Sequence, residues 1–178
     1  MKQLLYCATL VLLVGAIARA EDSAAPADET AAPPSHYEHL KELDWLVGRW
    51  VDADSNAVVE TVCDWTQNKN FLTRKFTVTI DGEIDLAGTQ VVGYDASTGK
   101  IRSWMFDTAG GIGEGAWTQK DNGWVIKKSQ VLISGEKASS INVITKVDDN
   151  TLTWQSVHRV IGGEMLPDVG PIKIVKEQ

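Results

Sequence analysis

Short runs of β-forming residues, separated by turn signals at a spacing of about 8–12 residues, constrain this chain more than any other feature. In residues 71–80, for example, apolar and polar side chains alternate, and Asp81-Gly82 follows as a strong hairpin signal. No segment between two runs is long enough for a crossover helix, so the strands should pair as antiparallel neighbours. We predict an all-β, up-and-down meander of about nine or ten strands that closes into a barrel, because closure removes exposed edges.

The predicted strands after Trp50 share this alternation and end at Gly-, Asn- or Asp-containing turns. They are residues 57–67, 71–80, 83–94, 101–106, 113–119, 124–133, 138–147, 151–161 and 172–175.

One short helix is predicted before the strands, over residues 36–47. Leu40, Leu43 and Val47 recur at spacings of three and four, and Gly48 suits a helix C-terminus. A helix of this length is not stable alone, so we expect it to pack over one end of the barrel.

The N-terminus has the pattern of a secretory signal peptide, residues 1–20. Lys2 is followed by an uncharged apolar stretch, and Ala18-Arg19-Ala20 is an A-x-A cleavage site. The stretch is shorter than the roughly 20 residues that span a bilayer. We therefore predict export to the periplasm or beyond, with no transmembrane segment after cleavage; an uncleaved N-terminal anchor is the alternative.

Residues 21–35 are rich in Ala, Pro, Asp and Glu and contain no large apolar side chain, which is typical of a disordered linker. Residues 36–178 then form a single domain. Cleavage after Ala20 changes the net charge from −7 to −9 and removes Cys7, which leaves Cys63 with no intrachain disulfide partner. Lys and Arg form no cluster, so a nucleic-acid partner is not expected.

The stretch Leu46-Val47-Gly48-Arg49-Trp50 resembles the G-x-W start of the lipocalin and fatty-acid-binding superfamily. There the tryptophan follows a short helix and plugs one end of the barrel, which implies the same role for Trp50.

A second resemblance covers about residues 40–176. The chain is similar to an uncharacterised, exported bacterial lipocalin-like domain, which is often found after a SnoaL-like segment in SgcJ/EcaC-type proteins. The resemblance implies a lipocalin-like barrel and export, but no reaction, and no chemistry of the SnoaL-like segment is attached to this chain. The matching stretches are residues 43–50, 88–95, 101–104, 113–117 and 153–157.

Tryptophans on several strands favour a small-molecule binding module as the leading functional hypothesis. A barrel interior that presents Trp104 and Trp154 would suit a flat, apolar or amphipathic ligand. Gln90, Arg102 and His158 are the candidate polar contacts. Alternatively, the tryptophans fill the core, and the barrel is a structural or protein-interaction module with a filled interior.

His158 is predicted to share one strand face with Trp154 and Ser156, because the three are spaced by two. Its position in a late strand is similar to that of the histidine in haem-binding barrels of the nitrobindin type. The alternatives are a ligand contact or a satisfied histidine at the rim, and we predict no cofactor.

An enzyme of modest acid–base chemistry, of the isomerase or hydrolase kind, is the second hypothesis. Asp107 and Glu114 flank the glycine-rich turn at residues 109–113, and with His158 they could serve as acid and base if they converge. The alternatives are solvated loop carboxylates, or a pairing of Arg102 with one of them. The sequence contains no catalytic motif, so no catalytic residue is assigned.

Two further groups carry side chains that can bind metals or act as nucleophiles. His36, Tyr37 and His39 lie close in sequence, but no distant ligand would complete a site, so no metal is predicted. Cys63 lies in an alternating strand without an evident base, which favours a small buried apolar side chain over a nucleophile. The oligomeric state is left open.

Overall fold

The structure is a computed structural model that describes residues 34–52 and 57–177. The predicted signal peptide, residues 1–20, and linker residues 21–33 lie outside the described residues. The last two predicted linker residues are described. Pro34 and Ser35 make hydrogen bonds with Asn68 and Asn70, in the connection between the second and third strands.

Eleven strands make up one antiparallel sheet across the described ranges. Their bounds are β1 Gly48–Asp52, β2 Ala57–Trp65, β3 Phe71–Ile80, β4 Glu83–Asp95, β5 Lys100–Asp107, β6 Ile112–Lys120, β7 Gly123–Val131, β8 Lys137–Lys146, β9 Thr151–Ile161, β10 Glu164–Leu166 and β11 Val169–Lys176.

The sheet closes on itself through its last strands. Strands β1 to β9 pair in sequence order, β9 also pairs with β11, and β11 returns to β1. The short β10 pairs with the end of β9 and lies outside this ring of ten strands. The predicted closed, antiparallel, lipocalin-like barrel is therefore confirmed, with strand ends that differ from the prediction by a few residues.

The helical segment before the barrel differs from the prediction. The α-helix α1 covers only Tyr37–Leu40, and residues Lys41–Leu46 continue as a 3₁₀-helix. Leu40, Leu43 and Leu46 are all buried, and their three-residue spacing places them on one face of a 3₁₀-helix. Leu46, not Val47, is thus the third apolar anchor.

The glycine and tryptophan of the G-x-W motif close the same end. Trp50 is 2% exposed, its indole Nε1 donates to the carbonyl of Leu46 at 2.8 Å, and the Lys176 ammonium lies 5.2 Å from its ring centroid. Gly48 has φ +123°, and a Cβ there would lie 2.5 Å from Cε of Lys176. The expectation that Trp50 plugs the barrel is confirmed.

We call this closed end the base. Trp117 and Trp124 meet edge to face there at 6.0 Å, and Cys63, Leu72, Val92 and Leu152 pack around them. No helix in the described ranges has the length and hydrophobicity needed to cross a bilayer. The base is thus a mostly apolar core, with one small cavity of about 40 Å³ among these side chains.

Candidate ligand-binding cavity

A cavity of about 300 Å³ lies inside the barrel beyond the base. All ten strands of the ring contribute to its wall. Its volume lies at the lower end of the roughly 300–1,000 Å³ typical of small-molecule sites. Most of the wall is apolar and includes Val59, Phe76, Val78, Leu86, Met105 and Ile172.

Small residues on β6 create part of this space. Gly113 and Gly115 line the cavity, whereas Trp117, two residues further along the same face, is buried in the base. A Cβ at Gly115 would lie 2.6 Å from Oγ of Ser103. The glycine therefore leaves room for the Ser103 hydroxyl to make its hydrogen bonds.

A chain of hydrogen bonds crosses the floor of the cavity. The Arg74 guanidinium donates to Oγ1 of Thr61 at 3.2 Å and to Oε1 of Gln90 at 3.5 Å. The Gln90 amide donates to Oγ of Ser103 at 3.0 Å, and the Trp117 indole donates to the same oxygen at 2.9 Å. Arg74 is thereby held in one orientation between the base and the cavity.

The surroundings of Arg74 disfavour the positive charge of its guanidinium, because burial reduces its hydration. Burial lowers the pKa of the guanidinium, and the neighbouring Cys63 opposes this shift. No carboxylate of the described residues lies within ion-pair distance of Arg74. Cys63, which is 2% exposed, lies beneath it, and burial raises the pKa of its thiol to about 11. The predicted burial of Cys63 is confirmed.

A second cation, Lys128, lines the cavity on β7. Burial lowers the pKa of its ammonium, the charge of Arg74 lowers it further, and Asp107 opposes both. Asp107 itself accepts hydrogen bonds from the backbone N–H of Gly111 and from the Gln130 amide, each at 2.8 Å. The described residues offer Lys128 no carboxylate within 4 Å.

Of the five predicted ligand contacts, the structure brings two to the cavity. Gln90 on β4 and Trp154 on β9 both line it. Gln90 is already committed to the chain of hydrogen bonds, whereas Trp154 presents apolar surface.

Trp104 and Arg102 lie on the outer face of β5, because Ser103, Met105 and Asp107 on the alternate face line the cavity. Arg102 pairs with Glu114 at 2.7 Å and with Asp95 at 3.4 Å. The expected placement of Trp104 and Arg102 inside the barrel is wrong. The alternative that Arg102 pairs with a carboxylate of the 107–114 hairpin is confirmed.

The prediction that His158 lies on the same face of β9 as Trp154 and Ser156 is also wrong. The pairing of β8 with β9 shifts between Ser139 and Ile141, so a β-bulge interrupts the alternation at this point. His158 has φ +50° and is exposed, and its backbone N–H donates to Asp168 at 2.9 Å. Trp154 and Ser156 keep the inward face, but His158 does not line the cavity.

Of the three residues of the enzyme hypothesis, Asp107 and Glu114 both border the cavity, but their carboxylates have different partners. Asp107 is hydrogen-bonded to Gly111 and Gln130, Glu114 is paired with Arg102, and His158 lies at the bulge. Among the described contacts, no hydrogen bond or ion pair joins any two of them, whereas acid–base catalysis needs two such groups to converge.

The histidines near the N-terminus make aromatic contacts. The ring of His39 stacks on Tyr94 at 3.8 Å, and His36 lies 5.4 Å from the same ring. Within residues 34–52 and 57–177, no three His, Cys, Asp or Glu side chains are grouped so that they could hold a metal ion.

Sequence reasoning missed Arg74, Lys128 and Ser103, although part of the signal was present. Arg74 shares its alternation with Phe76 and Val78, which were predicted to share a face. An arginine in an otherwise apolar strand face marks either the outer wall or a buried charge, and the sequence could not distinguish the two.

Comparisons with known proteins do not assign this chain to a family. The chain matches no family model, and a search of curated proteins finds no match. The functional argument therefore depends on the barrel and its cavity.

Proposed function

We propose that the protein is an exported small-molecule binding module of lipocalin-like type, which holds an apolar or amphipathic ligand inside its barrel. The observation that carries the proposal is the cavity of about 300 Å³, with mostly apolar walls and a few oriented polar groups. Export is supported by the signal-peptide pattern of residues 1–20.

The two alternative functions receive less support. A structural module with a filled barrel would have no interior cavity, and this barrel has one. An acid–base enzyme would bring two of Asp107, Glu114 and His158 together, and their partners differ. Binding is the function that uses the cavity as it is built.

A neutral fluorescent probe tests the proposal. N-phenyl-1-naphthylamine is expected to bind the purified domain, residues 21–178, with increased fluorescence, because it would move from water to apolar walls. Leu86→Trp places a larger side chain on the cavity wall and should abolish the increase. Val147→Trp, at a position that is 58% exposed in the turn between β8 and β9, is the matched control and should keep it.

Both variants should retain the far-ultraviolet circular dichroism of the wild type, which excludes unfolding as the cause of a lost signal. No probe binding by the wild type, or equal binding by Leu86→Trp, would contradict the proposal. Native mass spectrometry of protein purified from an exporting host would then show whether a natural ligand is retained.

A further inference from the structure

The cavity wall contains two cations that make no direct ion pair with a described carboxylate. Arg74 and Lys128 both line it, and neither forms an ion pair with a described residue. Asp107 also lines the cavity, but each of its carboxylate oxygens already accepts a hydrogen bond from a neutral donor. Two further acidic residues border the cavity: the Glu114 carboxylate pairs with Arg102 at 2.7 Å, and Asp52 has an interaction partner of its own.

The guanidinium of Arg74 retains donors that the protein does not use. An arginine side chain has five N–H donors, and Arg74 gives one each to Thr61 and Gln90. Within the described part of the chain, its other N–H groups have no acceptor. An oriented guanidinium with unused donors at the cavity floor matches the planar, two-oxygen geometry of a carboxylate.

We propose that the cavity binds an amphipathic monocarboxylic acid, with its carboxylate between Arg74 and Lys128 and its apolar body along the walls. This inference depends on the proposed function, because it names the ligand class of the same cavity. The carboxylate would give both cations a direct ion-pair partner, which no described residue provides within 4 Å, and it would replace hydration that burial has reduced.

The order of residues along β3 indicates which end of the ligand would lie next to the base. Leu72 is buried in the base, Arg74 comes next on the same face, and Phe76 and Val78 follow on the cavity wall. Val78 lies about 13 Å from Arg74 along the strand, at roughly 3.3 Å per residue. The carboxylate therefore binds deep, next to the base, and the apolar body extends towards Val78 and Leu86.

Calorimetric titration with two matched probes, decanoate and 1-decanol, tests the inference at pH 7.5. The wild type should bind decanoate at least about tenfold more tightly than decanol, since hydrogen bonds between charged groups are stronger than those that a neutral hydroxyl can make. Arg74→Met and Lys128→Met should each reduce the ratio of decanoate affinity to decanol affinity severalfold or abolish the preference, since each removes one of the two cations that would hold the carboxylate.

Each variant has a control at a neighbouring residue of its strand. Lys75 and Lys127 are exposed, so Lys75→Met and Lys127→Met remove the same charge from outside the cavity. Both controls should keep the preference for decanoate. Lys128→Met also keeps the test decisive if Arg74→Met does not fold.

The outcomes separate this inference from the proposed function. Equal affinity for decanoate and decanol, or a preference that survives both interior variants, would overturn the carboxylate site and leave the binding module intact. A protein that binds N-phenyl-1-naphthylamine but not decanoate would overturn it as well. If neither the naphthylamine nor either decyl probe binds, the proposed function itself fails.

Discussion

The base and the cavity are built from the same strands, and they differ in what the inward face of each strand carries. On β3, Leu72 is 1% exposed in the base, while Arg74 lines the cavity two residues later. On β7, Trp124 is buried in the base, while Lys128 lines the cavity four residues later. The change from apolar to charged thus occurs within a single strand.

The two halves also differ in how the space is filled. At the base, Leu40, Leu43 and Leu46 enter from the helical segment and complete the packing around Trp117. In the cavity, β6 contributes only Gly113 and Gly115 on the face where Trp117 stands in the base. The comparison teaches that one half supplies stability, through close apolar packing, while the other leaves space and retains two cations without a direct ion-pair partner among the described residues.

The largest expected difference between the halves is in apolar packing. Leu72→Ala should lower the free energy of unfolding by about 3 kcal/mol, because it leaves a void in a packed core. Leu86→Ala should lower it by only about 1 kcal/mol, because Leu86 already borders the cavity and gives up less packing. Urea denaturation measures both, and equal losses would mean that the two halves are packed alike.

The thiol of Cys63 reports on burial at the boundary between the halves. Its pKa is about 11 in the folded protein against an ordinary value of 9.0, so the folded state keeps the proton to higher pH. This stabilisation is complete below pH 9 and is lost as the pH rises to 11. It amounts to about 2–3 kcal/mol.

Urea denaturation between pH 8 and 11 tests this expectation, with Cys63→Ala as the control. Other groups titrate equally in both proteins, so the wild type should lose more stability than the variant across this range. Rapid modification of the native thiol by a disulfide reagent at pH 8 would show that Cys63 is accessible, and would contradict the sealed base.

The smallest expected effects distinguish an arginine inside the barrel from one outside. Arg74→Met should raise the free energy of unfolding of the ligand-free protein by about 1 kcal/mol, because it removes an unpaired buried charge. Arg102→Met should lower it by about 0.5 kcal/mol, because it breaks partly exposed ion pairs with Asp95 and Glu114. Thermal and urea unfolding give both signs, and a loss for Arg74→Met would place that residue among the stabilising groups.

Much of the barrel could be predicted from local patterns. The turn at Asp81-Gly82 and the alternation in β3 gave the limits of that strand correctly, because a hairpin turn and a period of two are local properties. The G-x-W motif at Gly48 and Trp50 indicated which end of the barrel is plugged. The 3₁₀-helix was missed because a spacing of three and four is shared by two helix types.

The sequence by itself determined that short strands alternate, turn back and close into a barrel, since each of these depends on neighbouring residues. Only the tertiary structure decided which face of each strand points inward. On β5 both faces carry apolar residues, so Trp104 could be assigned inside until closure of the sheet placed Ser103 and Met105 there. On β9 the bulge at His158 breaks the period of two, and a bulge is fixed by the register of the partner strand. Arg74 and Lys128 both line the cavity, and the charge of Arg74 lowers the pKa of Lys128. Their proximity also depends on the tertiary structure, because ring closure brings together strands that are distant in sequence.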